Sequence, residues 1–513
     1  MIKFLYALSL FSICTTANAE ALKLNNPKNP WFQEAAVDLQ KRDARLRKPP
    51  AKRGGAKNII LFVGDGMGVS TVTAARILAG QLKGKSGEEH QLSFEKFDYT
   101  GLSKTYNVDA QTPDSAGTMT AIMTGVKTDA GIIGLAEGVE RGRCASQEGQ
   151  SLTSLLQIAE LAGMSTGIVT TSRVTHATPA ATYASSPERN WENSSALPSE
   201  AKAAGCEDIA AQLISFSNRL REKGAMAGNG GVDIVLGGGR AQFLPLADGG
   251  LRSDNRNLIE EWKNLYPGST YIRTRKQLKK LKAEHQGPIL GLFNDSHLSY
   301  QSQRKKEEPS LTLMTKTAIK QLKKNPKGYF LMVEGARIDH AHHSGNAYNA
   351  LHDTIELSKA AAVAKKLTDP KDTLIIVTAD HSHVFTIAGY PKRGNPILGN
   401  VVGVGQQKPA TSLMNTPYTT LGYTNGPGYR STKDLLDKQH SEHAHSKHYR
   451  QVAAVPLASE THGAEDVAIY AQGPGAHLVS GTMEQNQIFH VMEFAGDLIR
   501  RASSFSPSSA KSD

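Results

Sequence analysis

Cysteine is scarce: Cys14, Cys144 and Cys206 are all that a chain of 513 residues carries. Once an N-terminal leader is removed only the last two remain, and in an oxidising compartment such a pair favours a disulfide over a metal site. Two separate buried thiols are the alternative. The mature chain also lacks any apolar run of spanning length, which argues against a transmembrane segment. No basic block stands alone either. The cations lie in helical, glutamate-containing stretches such as RTRKQLKKLKAEH and QRKKEEPS, a pattern of solvated faces that argues against a nucleic-acid partner. Composition is otherwise ordinary, with 39% hydrophobic residues, 47 glycines and 22 prolines, which describes a loop-rich globular protein and excludes a fibre or wholesale disorder.

What is present begins with a leader. Lys3, the run FLYALSLFSI and the small residues Ala17 and Ala19 read as a secretory signal cleaved after Ala19, so the protein is expected in the periplasm or secreted. Ile13 before Cys14 does not suit lipid attachment, and no membrane anchor is expected. Loss of Lys3 takes the net charge from +11 to +10, a balance that draws in anionic substrates or keeps the protein soluble. We expect a leader over 1–19, a helical arm over 20–50, a main α/β domain over 51–389 that resumes over 451–502, an inserted subdomain over 390–450 and a disordered tail over 503–513. In the arm, Asn29 caps a helix, Pro30 takes its first turn, Phe32, Ala36, Leu39 and Leu46 fall near one face, and Pro49 and Pro50 end it. Such a helix packs on its own domain or on a partner subunit.

One grammar recurs along the chain. In NIILFVGDGMG the apolar run IILFV is too short for a buried helix and ends in glycines, so it reads as a central strand of a parallel sheet with Asp65 just past its carboxyl end. Gly64, Gly66 and Gly68 resemble a dinucleotide fingerprint only in part, since the spacing is wrong. A strand near 165–171 is followed by Arg173, His176 and Thr178; one over 329–333 by Glu334, Asp339, His340, His342 and His343; one over 374–378 by Asp380 and His381. His462 stands just before a strand near 467–471. Strands alternating with helical patterns predict a layered α/β fold around a mainly parallel sheet, and in such sheets ligands collect beyond the strands' carboxyl ends. Asp339 and His343 are four apart, so one helical turn lets both face a single metal.

The stretch VDAQTPDSAGTMTAIMTG places Ser115 where an apolar helix begins, with Asp114 and Pro113 suited to its start. A serine there lies in a field that favours anions, a place for a nucleophile attacking phosphorus; a merely capped, buried helix is the plainer reading. The glycine- and threonine-rich 390–450 stretch lacks helical periodicity and ends in a tract, His440, His443, His445 and His448, that scavenges metal or is incidental surface. Residues 482–501 read as a last helix, with Thr482 and Gln485 spaced as a capping box.

Taken together and in order, LFVGDGMG, TPDSAGTMTA, RVTHATPAATYA with ERNW, VEGARIDHAHH, VTADHSH, TNGPGY and ASETHGAEDVAIYAQGP resemble alkaline phosphatases over nearly the whole mature chain, with wording similar to the animal branch. The resemblance implies a three-layer sandwich with a crown-like insert over 390–450, a homodimer, and hydrolysis of phosphate monoesters at alkaline pH through a phosphoserine. It implies Ser115 as nucleophile, Arg189 as the grip on phosphate, one zinc ion on Asp339, His343 and His462, and a second on Asp65, Asp380 and His381. A magnesium ion would take Asp65, Thr178 and Glu334, and Cys144 and Cys206 would form a disulfide. His176 and His340 stand beside the magnesium position where some bacterial members carry aspartate and lysine. At the extra calcium site of animal members Phe293 and Glu308 match, but Asn294 replaces a glutamate, and no calcium is expected. The rival readings are a phosphodiesterase or sulfatase of the same superfamily, and a periplasmic zinc- or phosphate-binding protein without turnover. DSAGT lacks the sulfatase context C/S-x-P-x-R, and metal storage would not need Ser115 or Arg189.

Overall fold

The computed structural model describes residues 26–46, 53–222, 231–282, 284–436 and 441–504. The expected leader, its cleavage point, Arg47, Pro49, Pro50 and the tail from 505 onward lie outside these. Ten strands make one sheet: β1 (Asn58–Gly64), β2 (Tyr99–Lys104), β3 (Ser165–Arg173), β4 (Ile234–Gly238), β5 (Thr270–Ile272), β6 (Ile289–Leu292), β7 (Tyr329–Glu334), β8 (Thr373–Ala379), β9 (Val467–Gln472) and β10 (Gly481–Glu484). Their order is β10-β2-β9-β8-β1-β7-β3-β4-β6-β5. The apolar runs are continuous because both faces are covered. Ile59, Leu61 and Val63 of β1 enter the apolar cluster on one face, and Ile60 and Phe62 the cluster on the other. The layered α/β expectation thus holds.

From β8 across to β5 the strands run parallel, so their carboxyl ends share one edge. β9 runs antiparallel to β8 and β2. Its reversed direction explains a residue that otherwise looks misplaced: His462 precedes β9, yet lies at the edge where β8 ends. There Ser382–His383 pairs with His462–Gly463, opposing His462 to His383.

The helix Ser115–Thr124 is buried throughout; Asp114 caps it by accepting from the Gly117 amide, and Gly125 ends it at φ 77°. A side chain at Gly125 would meet Phe32 at 2.9 Å. Phe32 belongs to the N-terminal helix Pro30–Leu46, which packs on its own chain, with Phe32 against Phe489 at 5.5 Å between ring centres. Its buried apolar face is Phe32, Ala35 and Leu39, so Ala35 takes the place expected for Ala36. A disulfide joins Cys144 to Cys206 across 62 positions and packs with Trp191, Leu197 and Ala201. Closing such a loop contributes about 4 kcal/mol on the chain-entropy account, and it steadies the segment that carries Arg189.

A further expectation fails. Thr482 caps no helix: it lies in β10, paired in register with Leu102, and Gln485 donates instead to the Asp380 carbonyl at 2.6 Å. The helix begins at Gln487 and breaks at Asp497, which adopts φ 48° before a last turn over Leu498–Ser503. Strand pairing outweighed a capping signal worth about 1 kcal/mol.

Candidate active site

Three groups of acids and imidazoles converge at the sheet edge: Asp339, His343, His383 and His462; Asp65, Asp339 and His381; and Asp65, His176 and Glu334. In the first, His343 and Asp339 face each other across one helical turn at 3.3 Å, and His462 Nε2 lies 3.4 Å from Asp339 and 3.1 Å from His343 Nε2. Each ring is aimed from behind. His343 Nδ1 meets the Glu460 carbonyl at 2.6 Å and His462 Nδ1 the Pro113 carbonyl at 2.7 Å, contacts that put the proton on Nδ1 and turn the Nε2 lone pairs inward. His383 bridges Asp339 at 2.8 Å and Glu460 at 2.6 Å. Burial opposes its charge, but the two carboxylates raise its pKa to about 10. Burial likewise opposes charge on Asp339, yet His343, His383 and His462 hold that carboxyl well below the usual range.

Asp65, Glu334 and the neighbouring Asp380 lack such compensation. Asp65, Asp380 and Glu334 are fully buried. Both oxygens of Asp65, Oδ2 of Asp380 and Oε1 of Glu334 have no hydrogen-bond partner. Asp65 is driven well above the carboxylate range by burial and then by Asp380, Asp339 and Glu334. Burial raises Asp380 to about 6 against amides of Gly66 and His381, and Glu334 to about 7 against hydroxyls of Thr170 and Thr178. Orphaned buried carboxylate oxygens pointing at one another are what a hard or borderline dication would satisfy. The donor set therefore fits cations. His381, whose charged form burial suppresses, sits 3.4 Å from both Asp65 and Asp380 and stacks on His462 at 3.6 Å, so the groups abut. Gly66 makes the approach possible: at φ 67° its amide donates to Asp380 at 3.0 Å, and a Cβ there would fall 2.3 Å from His383.

Ser115 Oγ stands 3.1 Å from His381 Nε2 at the first position of its helix. Its neighbour Asp114 holds Arg189 at 2.8 Å, and Arg189 reaches His176 at 3.4 Å. Burial disfavours the guanidinium charge, but Asp114, Asp65 and Asp339 raise its pKa overall. Every residue singled out beforehand as nucleophile, phosphate grip or ligand thus lies at this one edge.

Several neighbours went unseen. His383 had a signal, two positions after His381 in DHSH, but Glu460 and the Asp114–Arg189 pair had none beyond proximity to known residues. His297 had no signal at all: its ring lies 4.1 Å from His340 and 5.4 Å from His176, and Arg173 donates to it at 2.5 Å. Burial pushes His176 well below its usual pKa and His340 down to about 3, so both are neutral. Asn294 donates to Glu308 at 2.7 Å, an amide where a calcium site would need a carboxylate. His443, His445 and His448 are exposed and belong to none of the three groups, and His440 lies outside the described residues.

A sequence model described as alkaline phosphatase matches residues 56–498. The chain is 44% identical over 480 residues to the tissue-nonspecific alkaline phosphatase of Gallus gallus, covering 91% of this chain and 88% of that one. It is 43% identical over 506 residues to the Homo sapiens counterpart, covering 94% and 91%. Among solved structures, alkaline phosphatase of the Antarctic bacterium TAB5 aligns with TM-score 0.58 at 22% identity over 87% of this chain and 99% of that one. That of Thermus thermophilus aligns with TM-score 0.61 at 22% identity, over 89% and 96%. A histidine-to-aspartate variant of the TAB5 enzyme was solved with magnesium in its M3 site.

Proposed function

This chain belongs to the alkaline phosphatase family, enzymes that hydrolyse phosphate monoesters, and from that premise we propose a mechanism in which Ser115 is transiently phosphorylated. The rival of a binding protein without turnover falls away with family membership. Asp339, His343 and His462 would hold one zinc ion, Asp65, Asp380 and His381 a second, and Asp65, Thr178 and Glu334 a magnesium ion. Dications bound there supply the positive charge that favours an ionised hydroxyl and a departing alkoxide.

The chain's own residues do the rest. The helix start presents Ser115 with its oxygen directed at the cluster, so the Oγ–P bond forms as the ester P–O bond breaks and the alcohol leaves with that electron pair and a proton. Water then cleaves the phosphoserine, releasing inorganic phosphate and restoring the hydroxyl. Arg189, pre-aimed by Asp114, offers a planar fork to two equatorial oxygens of the phosphoryl group, where a loose transition state carries its charge. The observation that carries this reading is the 3.1 Å approach of Ser115 Oγ to His381 at the junction of the groups. Metal analysis and phosphate release should be measured for wild type and Ser115→Ala, before and after chelation, with a monoester and a diester of one leaving group. Ser115→Ala should keep its metals and lose turnover by about a thousandfold or more. A variant with wild-type turnover, or a wild type that prefers the diester, defeats the proposal.

The same reading includes export and a homodimer. The Cys144–Cys206 disulfide supports an oxidising compartment, and no helix among the described residues is long and apolar enough to cross a membrane. Tyr390, Val404 and Leu413, which are 95%, 83% and 105% exposed, offer apolar contacts to a second copy. A monomer by light scattering would remove the dimer without touching the chemistry.

A further inference from the structure

Some cations of this surface are matched: Lys104 meets Glu484 at 2.7 Å, Lys263 meets Glu260 at 2.7 Å and Arg256 meets Glu261 at 2.6 Å. On one flank unmatched lysines gather on two adjoining helices. The helix Arg275–Lys280, after β5, and the helix Leu311–Leu322, before β7, lie on the same face of the sheet, since Leu278 and Leu311, Met314 and Ile319 enter one apolar cluster. Those inward positions dictate the outward ones. Lys276, Lys279 and Lys280 point out from the first helix, and Lys316, Lys320 and Lys323 form a stripe at i, i+4 and i+7 along and just past the second; all are exposed. The two segments touch, with Gln321 donating to the Lys282 carbonyl at 3.2 Å and Lys324 to the His285 carbonyl at 2.8 Å. Among the described residues none of these six lysines forms an ion pair.

The glutamates that dilute this charge in the linear sequence do so only in part. Glu308 is 2% exposed and is turned inward to accept from Asn294 and the Ser299 amide. That leaves Glu284 and Glu307 as the exposed acids of the flank. We propose that this flank is an electrostatic docking surface for an anionic membrane, a bilayer bearing acidic headgroups. Charge complementarity selects the partner's sign, and the shape and composition select its class. The outward positions of both helices hold no aromatic side chain on which a nucleic-acid base could stack. Lysines spread over two helices on one sheet face suit a broad planar field, which each cation feels within a Debye length. Both helices start at the sheet edge that carries the candidate active site, so docking leaves that edge beside the bilayer without covering it.

Co-sedimentation of the whole protein with phosphatidylglycerol–phosphatidylcholine vesicles, compared with pure phosphatidylcholine, tests this. Binding is expected only to the anionic vesicles and is released at roughly 0.5 M salt. The combined variant Lys276→Glu, Lys279→Glu, Lys320→Glu and Lys323→Glu should lose affinity by at least about a hundredfold. A control with the same charge change elsewhere, Lys83→Glu, Lys85→Glu, Lys408→Glu and Lys433→Glu, should lose far less, and turnover of a soluble monoester should be unchanged in both. If the first variant misfolds, its glutamine counterpart should show the same ranking with a smaller loss. No binding to anionic vesicles, an equal loss in the two variants, or tighter binding of single-stranded RNA than of vesicles overturns the proposal.

Discussion

Asp339 and Asp65 follow neighbouring strands, β7 and β1, yet three imidazoles surround the first, whereas buried carboxylates dominate the charge around the second, beside His381 and His176. Around Asp339 part of the negative charge is offset without any metal, because a protonated His383 stands between it and Glu460. Around Asp65 the charges that act on it most are those of Asp380, Asp339 and Glu334; Asp380 and Glu334 are buried and short of hydrogen bonds, and with Asp65 they are driven toward the protonated state. The difference teaches where cations bear most on the fold. The imidazole side is preorganised to receive a borderline metal, whereas the carboxylate side is strained until positive charge arrives.

The strongest way to break the contrast is to remove the residue that joins the second group to the third. Asp65→Ala is expected to lower monoester turnover by about a thousandfold and to reduce bound metal in the purified protein; turnover within tenfold of wild type would mean the carboxylate side is idle. In chelated protein the two aspartates should then part ways. Asp339→Ala leaves a buried cationic His383 with one partner fewer and should cost about 3 kcal/mol of unfolding free energy, while Asp65→Asn relieves repulsion and should be neutral or stabilising. Denaturant titration decides, and equal losses would erase the distinction.

Acid–base behaviour sharpens the same point. In metal-free protein Asp380 and Glu334 bind protons more tightly folded than unfolded, rising from 3.8 to about 6 and from 4.5 to about 7. Their contribution is therefore fully present below about pH 4 and is lost as pH climbs toward about 7, so chelated protein should weaken over that window by on the order of a few kcal/mol. With cations bound the carboxylates are needed ionised, and the fall should vanish or reverse. A chelated protein whose stability rises from pH 4 to 7 would contradict the raised values. On the imidazole side, His383→Ala should lower metal affinity and turnover about tenfold, a loss that restored metal concentration partly rescues.

Much of this contrast was legible in the chain itself. Buried parallel strands appear as unbroken apolar runs, so IILFV, YFLMV and LIIVT located β1, β7 and β8 within a residue or two, and the polar residues after them fell at one edge. That identifies a cluster; the roles within it came from family resemblance. What escaped depends on partners distant in sequence. Nothing local reveals that β9 runs backward, though this alone carries His462 to the edge, nor that Thr482 would be claimed by pairing with β2. Glu460 matters through His383, 77 positions away, and Asp114 through Arg189, 75 away. His297 meets His340 only because the loop after β6 crosses to the helix Arg337–His343 that follows β7.

The smallest expected effect concerns the border between the two chemistries. His176 brings an imidazole to the carboxylate side, within the group that includes Asp65 and Glu334. Magnesium is hard and prefers oxygen, so a nitrogen donor there is a poor match. Arg189 lies 3.4 Å from the same ring, and burial keeps the imidazole neutral, so it adds no negative charge to offset that guanidinium. Replacing it by aspartate supplies both a hard donor and a charge. His176→Asp should therefore retain magnesium several-fold better through dialysis, with zinc content unchanged because none of the proposed zinc donors is altered. Turnover should fall modestly, since the new carboxylate competes with phosphate for Arg189. Equal magnesium retention in the two proteins would show that the imidazole stands outside the cation's reach, and the boundary between the halves would then lie at Glu334.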